Sequence, residues 1–94
     1  MHFLYVLYSK SIDKFYIGES SNVEERLILH NEGYYKKSFT KKAKDWKIQL
    51  KYKCDSRSQA LFLEKFIKRM KSKTFIQKVI DNPGILSNIL EKRY

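Results

Sequence analysis

Tyr16, Arg26 and His30 lie in one run, FYIGESSNVEERLILH from Phe15 to His30, where an extended segment gives way to a turn and then to helical spacing. Arg26 and His30 are four residues apart, so on a helix they share one face. A phenol, a guanidinium and an imidazole brought together in this way are suited to surrounding a phosphate. The guanidinium is a permanently charged planar fork, and the imidazole can donate or accept a proton near neutrality. The plainer reading is an amphipathic helix after an ordinary strand, with each polar group in water. Tyr5 can join the group if its strand pairs with that of Tyr16 and both rings face one side. Glu64 is the only carboxylate between Lys36 and Lys78 flanked on both sides by apolar sequence. Taken alone it would pair with Lys68 one turn on. A carboxylate beside apolar packing and facing a basic surface also suits a hard divalent cation, which keeps several waters and serves phosphodiester hydrolysis.

These side chains need elements to hold them. FLYVLY, Phe3 to Tyr8, is aromatic and β-branched enough for a strand, and KFYIG, Lys14 to Gly18, reads as its antiparallel partner across SKSIDK. Gly18 is expected to supply backbone geometry that would strain a residue with a Cβ. Ser21 with Glu24, or Asn22 with Glu25, has capping-box spacing and predicts a helix over residues 22–32, with Gly33 as its stop. Val23, Leu27 and either His30 or Asn31 form its apolar repeat. Residues 34–46, YYKKSFTKKAKDW, read as a long loop, with Trp46 and Phe39 expected in the core. WKIQLKYK, Trp46 to Lys53, alternates as a half-buried strand with lysines on its outer face. Ser56 and Gln59 cap a helix expected to run to Lys73, with Ala60, Leu63, Ile67 and Met70 as its apolar stripe. TFIQKVID and ILSNILEKRY complete the order as shorter helices. The expected architecture is one α+β domain over residues 1–94, a small three-stranded antiparallel sheet flanked by helices.

Charge points to the partner. The chain has 20 Lys+Arg against 10 Asp+Glu, and the excess is concentrated: residues 36–78 hold 15 basic and 3 acidic side chains. Such a field attracts polyanions in a salt-dependent way, which makes nucleic acid, DNA first, the expected partner. Lys36, Lys37, Lys41 and Lys42 of the loop, and Lys68 and Lys71 of the later ridge, are the expected phosphate contacts. The alternative for the same residues is a solvated, solubilising surface. No apolar run approaches the roughly 18 residues of a membrane span. The lone Cys54 cannot form an internal disulfide, and MHFLYVLYSK has neither a basic leader nor a small-residue cleavage site. A cytoplasmic monomer is the resulting expectation.

The pair of tyrosine strands, with YIG intact at Tyr16-Ile17-Gly18, resembles the GIY-YIG endonuclease domain, in its small single-domain bacterial branch. The eleven-residue separation of Tyr5 and Tyr16 matches that pattern, as do Arg26, His30 and Glu64 in their helices. The resemblance covers roughly residues 3–75. It implies a DNA endonuclease of low sequence specificity or structure selectivity, in repair or recombination, using one Mg²⁺ or Mn²⁺ on Glu64. It further implies that Arg26 stabilises charge on the phosphate, that Tyr5 helps deprotonate the attacking water, and that Tyr16 or His30 orients water or phosphate. A phenol titrates near ~10, so a tyrosine base needs a nearby cation. Two features depart from the pattern. Phe3-Leu4-Tyr5 stands in place of Gly-Ile-Tyr, and neither Asn82 nor Asn88 matches the family's late asparagine by spacing from Glu64. A catalytically weak nucleic-acid-binding module of the same fold is the rival reading, and a protein-interaction domain the third.

Overall fold

The structure, a computed structural model, describes residues 1–35 and 39–93. Strand β1 (His2–Ser9) pairs antiparallel with β2 (Lys14–Ser20), from Phe3 opposite Ser20 to Ser9 opposite Lys14. The turn between them is tied down from a distance. Asp45 accepts from Ser9 Oγ at 2.5 Å and from Ser11 N and Oγ at 2.9 Å, and these donors, Ser9 first, hold its carboxyl down at about 2. Strand β3 (Trp46–Cys54) pairs antiparallel with the other edge of β1, giving the order β2-β1-β3. The α+β class and the three-stranded antiparallel sheet expected from the sequence are what the chain adopts.

β3 departs from its expected single apolar face. Leu7 pairs with Ile48 while Val6 pairs with Leu50, so Gln49 is an extra residue in the ladder. A bulge of this kind resets the alternation of side chains. Trp46 and Ile48 therefore pack with Tyr5 and Leu7, and Leu50 and Tyr52 with Leu4 and Val6 on the opposite face. Both faces of the sheet are covered. Helix α1 (Val23–Asn31) contributes Val23 and Leu27 to the Tyr5 face. On the other lie α2 (Arg57–Met70), α3 (Lys73–Asp81) and α4 (Gly84–Arg93), through Ala60, Leu63, Ile67, Val79 and Leu86.

The caps explain where these helices begin. Asn22 accepts from Glu25 N, Ser56 from Gln59 N, and Ser72 from Phe75 N, each satisfying one of the first-turn donors. Gly33, at φ +72°, follows the end of α1 as expected. The helix predicted to reach Lys73 instead stops at Met70, because Lys71 turns into the left-handed region at φ +47° and Ser72 starts α3. Met70, expected in the apolar stripe, is consequently 47% exposed. Among the described residues no helix is long and apolar enough to cross a membrane.

Candidate active site

Tyr5 stands on the central strand, almost fully buried, with its ring laid across β2 at Gly18. A Cβ at Gly18 would meet Tyr5 Cζ and Oη at 2.5 Å. This corrects the expectation for Gly18, which lies in regular β2 and has no positive φ; the glycine provides room for a ring, not an unusual backbone. The ring is thereby aimed at α1, where Tyr5 Oη lies 3.1 Å from His30 Nε2. His30 is 2% exposed, so among the helical-spacing alternatives it is the histidine that turns inward, while Asn31 braces β3 through Trp46 N and O.

The other ring nitrogen of His30, Nδ1, is 2.7 Å from Thr40 Oγ1. Thr40 is buried in a short 3-10 turn, Phe39–Lys42, inside the segment expected to be an irregular loop, and its carbonyl accepts from Trp46 Nε1 at 2.8 Å. A neutral imidazole donates from one nitrogen and accepts at the other, so Tyr5, His30 and Thr40 form a chain that runs in one direction at a time. Thr40 escaped the sequence reading, since nothing local marks a threonine among lysines as the partner of a histidine. The expected core position of Phe39 is not observed: it is 38% exposed, whereas Trp46 is buried as expected.

The remaining candidates surround this chain. Tyr16 stacks at a tilt on His30 with centroids 4.7 Å apart, and lies 6.2 Å from Tyr5. Tyr35 also packs against His30 at 4.7 Å between ring centres, and the Arg26 guanidinium sits 5.7 Å from the Tyr35 ring centre. From α2, Lys68 reaches over the Tyr16 ring at 5.6 Å while its ammonium bonds Glu64 Oε2 at 2.7 Å. The charges of Arg26 and Glu64 both act on Tyr5 and Tyr16. The five residues Tyr5, Tyr16, Arg26, His30 and Glu64 thus come together from β1, β2, α1 and α2.

A tyrosine base needs a cation strong enough to lower its phenol, and the cations here do not achieve that. Burial, followed by Tyr16, pushes the Tyr5 phenol well above its ordinary range, and Arg26 only partly opposes this. Burial likewise raises Tyr16, against the lowering effect of Lys68. The same desolvation, with Arg26 beside it, holds His30 down to about 4, so the imidazole is neutral at physiological pH.

Of the expected phosphate contacts, Lys41 and Lys42 are exposed on the 3-10 turn that Thr40 ties to His30, and Lys71 is exposed at the turn between α2 and α3. Lys68 lies within the cluster itself. Lys36 and Lys37 fall outside the described residues. Asn82 caps the end of α3, and Asn88 lines a hollow with Phe66, two residues beyond Glu64 and so on another side of α2. Neither belongs to the cluster around Tyr5. Among the described residues no group of three or more His, Cys, Asp or Glu could hold a metal, which leaves Glu64 as a single carboxylate. One carboxylate suffices for Mg²⁺, which binds through one or two carboxylates and fills its sphere with water and substrate phosphate oxygens. The donor set therefore fits a hard ion recruited together with a phosphate.

Compared with known proteins, the chain matches the family model of the GIY-YIG catalytic domain over residues 1–78. No curated protein and no solved structure matches it.

Proposed function

Because the chain belongs to the GIY-YIG family, whose fold is of the nuclease type, we propose that it is a divalent-metal-dependent endonuclease that hydrolyses phosphodiester bonds in DNA. The observation that carries this reading is the convergence of Tyr5, Tyr16, Arg26, His30 and Glu64, from four separate elements, beside a strongly basic surface. Low sequence specificity or selection of a branched or damaged structure, in repair or recombination, fits a domain whose affinity comes chiefly from lysines contacting phosphates.

In this reading Glu64 holds one Mg²⁺ or Mn²⁺, which when bound supplies positive charge to the phosphate and the departing oxygen. The chain's own groups do the rest. Arg26, steadied against Tyr35, meets the negative charge that gathers on the phosphate. Tyr5 positions the attacking water: its oxygen accepts a hydrogen bond from the water while its own proton stays on the phenol and is donated to neutral His30 Nε2, whose Nδ1 donates to Thr40, and the water's proton leaves to a phosphate oxygen. This route needs no free phenolate, which burial disfavours. Tyr16 walls the cluster between His30 and Lys68.

One observation favours the second reading, a catalytically weak binding module: the Lys68 ammonium occupies Glu64 Oε2. Cleavage of supercoiled plasmid and branched DNA with Mg²⁺, Mn²⁺ or EDTA separates the two. Metal-dependent cutting lost in Glu64→Ala and Arg26→Ala, both still folded, supports the nuclease. Salt-sensitive binding without cutting on any substrate overturns it in favour of the module.

A further inference from the structure

Thr40 stands at the far end of the buried chain that leads to the Tyr5 oxygen, 1% exposed and with Oγ1 2.7 Å from His30 Nδ1. Contacts from across the fold hold it there. Its carbonyl accepts from Trp46 Nε1 at 2.8 Å and from Ala43 N at 3.3 Å. Trp46 is itself bracketed by Asn31, the neighbour of His30 on α1, which donates to its carbonyl at 3.0 Å and accepts from its N–H at 2.8 Å. Hydroxyl and imidazole are thus fixed against one another through the first residue of β3.

A neutral imidazole at this place can carry its proton in two ways. With the proton on Nδ1, Thr40 accepts it, Nε2 accepts from the Tyr5 phenol, and the phenol oxygen keeps its lone pairs for a further donor. With the proton on Nε2, Tyr5 Oη accepts from the ring and its own hydrogen turns outward. It would then meet a water as a donor and engage the lone pair needed for attack. A phenol is a stronger donor than an aliphatic alcohol, and an alcohol oxygen, whose lone pairs are not shared with a ring, is the stronger acceptor. Both ends of the chain therefore favour the first arrangement. We infer that Thr40 is a positioning residue that selects the Nδ1–H tautomer of His30 and through it sets the Tyr5 oxygen to receive the attacking water. Without Thr40 Oγ1, the Nδ1–H arrangement would leave a buried N–H unpaired, which is tolerated less well than an unpaired acceptor, so the proton moves to Nε2. The inference deepens the nuclease reading and rests on it for the water, but not for the tautomer.

The test is nitrogen NMR of the isotope-labelled full chain, free of metal and DNA, in which bare and protonated ring nitrogens resonate far apart. The His30 signals are assigned by their loss in His30→Gln. Wild type should carry the proton on Nδ1 and protect it from exchange with water. Thr40→Val should exchange the roles of the two nitrogens, and Thr40→Ser should restore the wild-type pattern; Thr40→Ala serves if Thr40→Val does not fold. In plasmid nicking with Mg²⁺, Thr40→Val should lose about 10- to 100-fold, the scale of a misplaced reacting group, and Thr40→Ser should keep most of the activity. A proton on Nε2 in wild type overturns the inference whether or not any variant folds. So does a folded Thr40→Val chain that keeps the wild-type tautomer, even if its nicking is lost, because Thr40 would then be merely structural. An exchanged tautomer that leaves nicking intact overturns it as well. If wild type cuts but holds the proton on Nε2, only this inference falls. If no protein cuts and Thr40→Val still exchanges the nitrogens, tautomer selection by Thr40 stands while the nuclease reading falls.

Discussion

The ring of Tyr5 occupies the space that a side chain at Gly18 would need: a Cβ there would lie 2.5 Å from Cζ and Oη. Since Tyr5 is buried on the central strand and bonded to His30, it has little room to retreat. Gly18→Ala should therefore destabilise the protein by about 1–3 kcal/mol, the usual cost of overpacking a core. Urea unfolding of both single variants and the double variant with Tyr5→Ala checks the cause. The double variant should be less unstable than the sum of the singles, because the clash partner is gone. Strict additivity would show that the cost at Gly18 lies elsewhere.

Stability should depend on pH through His30. Its folded value of about 4 lies below the ordinary 6.5, so between the two the unfolded chain binds more protons than the folded one. Stability is then fully present above pH 6.5 and declines as the pH falls towards 4, by up to about 3 kcal/mol. Denaturant melts across this window should show a steeper loss for wild type than for His30→Gln. Parallel curves would mean that His30 titrates normally.

The proposed nuclease reading sets Lys68 and a metal ion in competition for Glu64. With the ammonium 2.7 Å from Oε2, a divalent ion bound at that oxygen would displace it, and the pair is a partly exposed one of modest strength. Lys68→Met is expected to bind Mn²⁺ about twofold more tightly or better by electron paramagnetic resonance, with the protein free of DNA. Glu64→Gln should bind none. Weaker Mn²⁺ binding in Lys68→Met would argue that the lysine supports the ion's site instead of occupying it.

Exposed lysines beside the cluster should act through phosphates. Lys42→Ala and Lys71→Ala are each expected to weaken DNA binding regardless of sequence, and to lower the slope of log Kd against log salt by about one. A variant with unchanged slope does not contact a phosphate.

Much of this protein could be read from local pattern. The aromatic and β-branched run FLYVLY, the alternation of WKIQLKYK, the caps Asn22 and Ser56, and Gly33 as a stop are signals carried by neighbouring residues, and the elements follow them. The residue types and spacing of Tyr5, Tyr16, Arg26, His30 and Glu64 likewise named the cluster. Tertiary structure decided what those residues meet. The bulge at Gln49 divides β3 between two cores because pairing with β1 requires it, and no alternation within the strand announces it. Thr40 beneath His30, Lys68 on Glu64 and the ring of Tyr5 over Gly18 are contacts made across the fold. Protonation followed the same rule. The sequence supplied a phenol and an imidazole, but burial raised one and lowered the other, because desolvation depends on what packs around a group and not on which residues flank it.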